Sequence, residues 1–68
     1  MFKCEIDCHN GKKSFADVET AIGYVSEILI PDHSMEFHQA NISINRHDRI
    51  RDYVYSDAEN LLEDLMNL

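Results

Sequence analysis

The chain has 68 residues, 44% of them hydrophobic and 28% charged, with a formal net charge of −7. This composition excludes a disordered chain, and the length allows a single domain, residues 1–68, that buries only about 60% of its unfolded surface. The acidic balance disfavours free nucleic acid as a partner, since phosphates carry the same charge. So short a chain leaves few residues for active-site loops, and we expect neither enzymatic activity nor a cofactor.

The N-terminal segment and the two cysteines indicate the compartment. Residues 1–5 lack the apolar run of a signal peptide, and no stretch approaches the roughly 18 apolar residues of a membrane span. Cys4 and Cys8 alternate with polar residues along a predicted strand, which holds their thiols about 13 Å apart, too far for a disulfide. We therefore expect a cytoplasmic protein with reduced cysteines.

The first predicted elements are two strands joined by a tight turn. Apolar and polar residues alternate over residues 2–8, which is typical of a strand with one buried face. Asn10 and Gly11 then predict a turn over residues 9–12, because both residue types tolerate positive φ. A short return strand at residues 12–15 completes the hairpin.

A helix is predicted next, over residues 16–30. Asp17 or Ser14 caps its start, and Pro31 ends it by disfavouring a helical residue before it. Its apolar residues form one continuous stripe, which is typical of a helix packed on a core. The stripe consists of Val18, Ala21, Ile22, Val25, Ile28 and Leu29.

The second half of the chain predicts a second hairpin, with strands at residues 37–45 and 49–55 and a turn over residues 46–49. We place Ile50 and Val54 on the helix-facing side of the last strand. Asp52 would then share this buried face, and a bulge near it would relieve the conflict. The alternate residues of that strand, Arg49, Arg51, Tyr53 and Tyr55, would lie on the open face of the sheet.

A second helix follows, and Ser56 with Glu59 has the spacing of a capping box at its start. The two halves, residues 2–30 and 37–68, therefore repeat the same order of elements and suggest an internal duplication. At an offset of 40 residues the apolar series of the first helix recurs as Ala58, Leu61, Leu62, Leu65 and Leu68. We predict an α+β fold, ββαββα, with a four-stranded antiparallel sheet and both helices on one face.

Charge is segregated between these elements. All six basic residues lie at residues 3–13 and 46–51, so both helices are acidic without any base. We define the acidic helix surface as Asp17, Glu19, Glu27, Asp57, Glu63 and Asp64, which stay off the apolar stripes. Such rows of carboxylates attract a basic protein surface and can imitate nucleic acid phosphates. Solvated helix faces have a similar pattern.

Two further interpretations remain open. Arg49, Arg51, Tyr53 and Tyr55 together are typical of a sheet that stacks single-stranded nucleic acid on tyrosine and binds phosphates with arginine. Alternatively, the chain is a homodimeric structural module. Its edge strands or its remaining apolar residues, Met35, Phe37, Met66 and Leu68, would then meet across a twofold axis.

A metal site is not expected from the sequence. Thiolate and imidazole are zinc ligands, but ligands of one ion must approach within about 4 Å, and strand spacing separates Cys4 from Cys8. The candidate ligands for such a site are Cys4, Cys8, His9, His33, His38 and His47. A catalytic pair of Cys8 with a histidine lacks a specific signal as well, and we expect buried, inert cysteines.

The sequence thus favours a non-enzymatic interaction protein that binds a basic surface of a partner. Such a surface could be the nucleic-acid-binding site of a host protein. In size and composition the chain resembles the small acidic proteins encoded by phages and mobile elements, many of which bind and inhibit a host factor. This resemblance extends to no motif.

Overall fold

The computed structural model describes residues 1–9, 11–32 and 36–68 and confirms the predicted α+β fold with the order ββαββα. Its elements are β1 (Phe2–Cys8), β2 (Gly11–Phe15), α1 (Val18–Tyr24), β3 (Phe37–Arg46), β4 (Arg49–Tyr55) and α2 (Ala58–Met66). A π-helical turn, Val25–Leu29, continues α1. Among the described residues, neither helix has the length and apolar content needed to cross a membrane.

The sheet is antiparallel throughout, with strand order β2-β1-β3-β4. The central strands β1 and β3 pair so that Cys4 lies opposite Ile42 and Ile6 opposite Ala40. A register shift between Asp7 and Cys8 bulges β1 near its end, which increases the local twist. The two central strands come from different halves of the chain, and their pairing joins the halves in one sheet.

The core lies between this sheet and the two helices. Apolar side chains from one face of β1 and β3 meet one stripe of each helix, as the alternating and helical periods require. The buried residues are Cys4, Ile6, Cys8, Ala21, Tyr24, Val25, Leu29, Ala40, Ile42, Leu61 and Leu65. On the edge strand β2, Phe15 packs against this core with its ring centre 5.2 Å from that of Tyr24, and the Lys13 ammonium lies 5.4 Å from the centre of the same Tyr24 ring.

Helix α1 begins at Val18, two residues after the predicted start, with one of the two predicted caps, and its last turn is π-helical. Asp17 is its N-cap and accepts a hydrogen bond from the Thr20 amide. In the π-helical turn the Ile30 amide donates to the Val25 carbonyl at 3.0 Å, one residue further back than in an α-helix. The wider turn moves Ile28 away from the core, and it is 46% exposed. Its predicted place in the apolar stripe was wrong.

Helix α2 begins one residue later than the predicted capping box requires. Asp57, not Ser56, is the N-cap, and its carboxylate accepts from the Glu59 amide at 3.0 Å. The predicted capping box was wrong. The Asp57 carboxylate accepts a hydrogen bond at the start of the helix, so Ser56 is not needed as a cap. Asp17 and Asp57 thus have the same role at the repeat offset of 40 residues.

The hairpins also correspond. Arg46 pairs with Arg49 across a two-residue turn whose residues, His47 and Asp48, have φ of 52° and 64°. This is the geometry that matches the twist of a hairpin. In the first hairpin Gly11 already pairs with Cys8, so β2 begins one residue before the prediction. Asn10, His33, Ser34 and Met35 lie outside the described residues.

Strand β4 has the opposite phase from the predicted one. It pairs regularly with β3, without a bulge near Asp52, and Tyr55 lies opposite Ala40 on the helix-facing side. Arg49, Arg51 and Tyr53 share that side, and their predicted place on the open face was wrong. Ile50, Asp52 and Val54 occupy the open face instead. Asp52 is exposed there, and its carboxylate accepts a hydrogen bond from the Ser43 hydroxyl at 2.5 Å. The negative charge of Asp52 therefore remains in water, and the cost of burying it is avoided.

Candidate functional site

The acidic helix surface is exposed at all six of its positions. Three of its carboxylates also have a structural role. Asp17 and Asp57 cap the two helices, and Asp64 accepts a hydrogen bond from the Tyr55 hydroxyl at 2.5 Å. The other three, Glu19, Glu27 and Glu63, form no hydrogen bond through their carboxylates within the described chain.

These helix carboxylates have no counter-charge among the lysines and arginines of the described chain. Within residues 1–9, 11–32 and 36–68, none of the six lies within ion-pair distance of a lysine or arginine. On the sheet, by contrast, Glu5 pairs with both Lys3 and Lys12, at 3.5 and 3.8 Å. Since unpaired carboxylates of like sign reinforce one another, the helix layer carries a negative field towards solvent.

A groove of about 790 Å³ lies at the opposite end of β4 from Tyr55. We define it as the basic groove. Arginine, histidine and tyrosine dominate its described lining, and no Asp or Glu contributes to it. Its lining residues are Ile44, Arg46, His47, Arg49, Arg51, Tyr53, Asn67 and Leu68. The three guanidinium groups are suited to binding a phosphate. The ring of Tyr53, which is 41% exposed, is suited to stacking against a flat ring.

The basic groove brings together three of the four residues predicted to bind single-stranded nucleic acid. Arg49, Arg51 and Tyr53 line it, whereas Tyr55 lies outside. Tyr55 is half-buried against the core, and burial together with its bond to Asp64 raises the pKa of its hydroxyl. Tyr55 therefore stabilises the contact of β4 with α2 and is not available as a stacking platform.

The apolar residues proposed for a dimer interface are scattered. Phe37 packs against the core of its own chain and is therefore not available for a dimer contact. Met66 and Leu68 are 64% and 54% exposed. Met35 lies outside the described residues. The phase of β4 instead exposes Ile50 and Val54 on the edge strand, at 67% and 69%.

Both cysteines are free and buried, as the sequence predicts. Burial, with a smaller effect of the neighbouring Glu5, raises the pKa of the Cys4 thiol to about 11. Burial and Asp7 raise the pKa of Cys8 in the same direction. Raised values favour the neutral thiol, which is a poor nucleophile and a poor metal ligand.

A cluster of possible ligands, which we call the histidine cluster, lies at the bulged end of β1. His9, Glu36 and His38 are all exposed, and their ligand atoms lie within 4.8 Å of one another. Glu36 is not among the candidate ligands that the sequence suggests. The signal that could have found it is the pairing of β1 with β3, which places residues 8 and 37 opposite each other.

Comparisons with known proteins add no family or neighbour to this description. Neither protein-family models, curated proteins nor solved structures give a match to the chain. Function must therefore be inferred from the geometry and chemistry of the surfaces described above.

Proposed function

We propose that this chain is a non-enzymatic interaction protein whose acidic helix surface binds, and thereby blocks, a basic surface of a partner protein. A nucleic-acid-binding site of a host protein has the matching chemistry, because rows of carboxylates can replace phosphates on such a site. In size and charge the chain resembles small inhibitors encoded by phages and mobile elements. Buried free thiols fit the reducing cytoplasm.

The observation that carries this proposal is the lack of ion pairs on the helix layer among the described residues. The described chain neutralises Glu5 twice but none of the six carboxylates of the acidic helix surface. Glu19, Glu27 and Glu63 are exposed and form no side-chain hydrogen bond with the described residues, so a partner can pair with them without breaking any of the described contacts. Complementary charge of this kind mainly accelerates association.

The proposal is tested by removing the three free carboxylates together. Glu19→Gln, Glu27→Gln and Glu63→Gln should leave the fold intact, because these side chains lie outside the core. Proteins captured by immobilised wild type from a lysate of the native host should be retained poorly by this triple variant. The captured partner, once purified, should associate with the triple variant at least about 10-fold more slowly than with wild type, and rising salt should weaken the wild-type complex.

A matched control separates the acidic helix surface from net charge. Ser14→Lys, Gln39→Lys and Asn45→Lys make the same change in net charge at exposed positions of the open sheet face. We expect this control to bind the partner much more like wild type. Equal losses in both triple variants, or no loss in either, would reject the acidic helix surface as the binding site.

A second candidate function is favoured by the basic groove. Single-stranded nucleic acid could bind there with phosphates on Arg46, Arg49 and Arg51 and a base stacked on Tyr53. The groove keeps this interaction away from the acidic helix surface, because no aspartate or glutamate side chain belongs to its described lining. It differs from the predicted sheet surface, since it lies on the helix-facing side of β4.

Fluorescence anisotropy with labelled single-stranded RNA and DNA tests this second function. Tyr53→Ala should weaken binding by about 1–3 kcal/mol, the usual effect of removing one stacking platform. Val54→Ala, on the same strand but on the opposite face, should not change it. Equal effects of both substitutions, or no binding by wild type, would eliminate the groove as a nucleic acid site.

A further inference from the structure

The pairing of the central strands brings two histidines and one glutamate together at one corner of the sheet. The His9 amide donates to the Glu36 carbonyl at 2.8 Å, which holds the end of the first strand beside the segment that enters β3. His38, two residues further along, lies with its ring centre 6.4 Å from that of His9 in an edge-to-face arrangement. The backbone thus fixes all three residues in one small region.

The donor set of this corner suits a borderline transition metal. Two imidazole nitrogens and one carboxylate oxygen are available, and a His₂Glu set with one open position is a known zinc coordination. Calcium and magnesium prefer a shell of oxygens, which the two histidines do not offer. From this geometry we propose that His9, Glu36 and His38 form a solvent-accessible Zn²⁺ site.

The distances require only side-chain adjustment. Ligand atoms around a tetrahedral zinc ion lie about 3.3 Å apart, given zinc–nitrogen bonds of about 2.0–2.1 Å. The ligand atoms of the histidine cluster lie within 4.8 Å of one another, so they must approach by up to about 1.5 Å. All three side chains are exposed, and rotations of exposed side chains are fast and inexpensive.

Zinc at this position would connect the first hairpin to the start of β3. Three protein ligands leave a fourth position for a water molecule. The site does not involve the thiols of Cys4 and Cys8, which are buried in the core. Zinc binding should also stabilise the fold, because the three ligands are brought together only in the native chain.

Calorimetric titration of the whole chain with Zn²⁺ at pH 7 tests the proposal. We expect one equivalent to bind, and Mg²⁺ at the same concentration not to bind. His9→Ala and His38→Ala should each lower zinc affinity at least about 10-fold, since even the loss of an outer-shell partner costs 10–100-fold. Glu36→Gln should lower it as well, because the amide carries no negative charge.

The chain contains a matched control for these substitutions. His47 occupies the equivalent turn position in the second hairpin, is also exposed and belongs to no such cluster among the described residues. His47→Ala should therefore bind zinc like wild type. In the wild-type protein, the imidazole NMR signals of His9 and His38 should shift on zinc addition more than those of His47.

Three results would overturn the zinc site. These are the absence of a stoichiometric binding event, affinity unchanged by both His9→Ala and His38→Ala, and an equal loss in His47→Ala. Circular dichroism of each variant verifies that the fold is retained. The NMR measurement on the wild-type chain decides the matter independently if a variant does not fold.

Discussion

At the scale of single residues, burial determines how the two thiols respond to pH. Cys4 is fully buried and its pKa is raised to about 11, so the folded protein keeps a proton that the unfolded chain releases at lower pH. Cys8, Tyr24 and Tyr55 also have raised pKa values, with burial as the first cause of each. All four groups thus favour the folded state only while they remain protonated.

Stability should therefore fall at alkaline pH. Because the pKa of Cys4 is higher in the folded state, its neutral thiol contributes stability that is fully present below the unfolded value of 9.0. This stability is lost as the pH rises towards about 11. The free energy of unfolding, measured by urea denaturation from pH 7 to 10.5, should decrease by up to about 1.4 kcal/mol per pH unit for one such group. In Cys4→Ala the slope should be shallower. An unchanged slope would show that Cys4 does not contribute.

At the scale of elements, the two helix starts depend on aspartates in equivalent positions. Asp17 accepts from the Thr20 amide and hydroxyl, and Asp57 accepts from the Glu59 amide. Ser56, which the sequence favoured as a cap, forms no hydrogen bond through its side chain within the described chain. The carboxylates also interact favourably with the partial positive charge at the helix N-termini.

Loss of either cap should destabilise the protein. Asp17→Asn is too conservative a change, since asparagine also caps, so alanine is the informative substitution. Asp17→Ala and Asp57→Ala should each lower the free energy of unfolding by about 1 kcal/mol, measured by urea denaturation at pH 7. Ser56→Ala is the control and should have almost no effect. A larger loss from Ser56→Ala than from Asp57→Ala would contradict the observed cap.

At the scale of the whole molecule, charge is divided between two regions. The acidic helix surface has no counter-charge among the described residues, whereas the basic groove gathers three of the six arginine and lysine side chains. The first region repels itself, and the second offers a positive site on a chain with a net charge of −7. Folding and partner binding should therefore respond to salt in opposite directions.

Screening should stabilise the isolated protein. Sodium chloride raised from 0.05 to 0.5 M should increase the free energy of unfolding by on the order of 1 kcal/mol, because repulsion between helix carboxylates is reduced. The triple variant Glu19→Gln, Glu27→Gln, Glu63→Gln should gain less from salt. A decrease in stability with salt would mean that favourable charge pairs outweigh the repulsion, contrary to the observed distribution.

The elements and their order could be predicted from the sequence alone. Alternation defines β1 and β3, because a strand with one buried face admits no other pattern. The apolar stripe of α2 was predicted correctly by helical periodicity at Leu61 and Leu65, both of which are buried. Positive φ at His47 and Asp48 fits the predicted second turn. These features are local, and local residue preferences suffice to determine them.

Only the tertiary structure decided the phase of β4 and the composition of both candidate binding regions. Apolar or aromatic residues occur on both faces of that strand, so periodicity allowed two solutions. The observed one keeps Asp52 in water and lets Tyr55 bury its ring while its hydroxyl bonds to Asp64. The opposite phase would bury a carboxylate, which costs far more than exposing Ile50 and Val54. The histidine cluster likewise depends on strand pairing between residues distant in sequence, which no local pattern specifies.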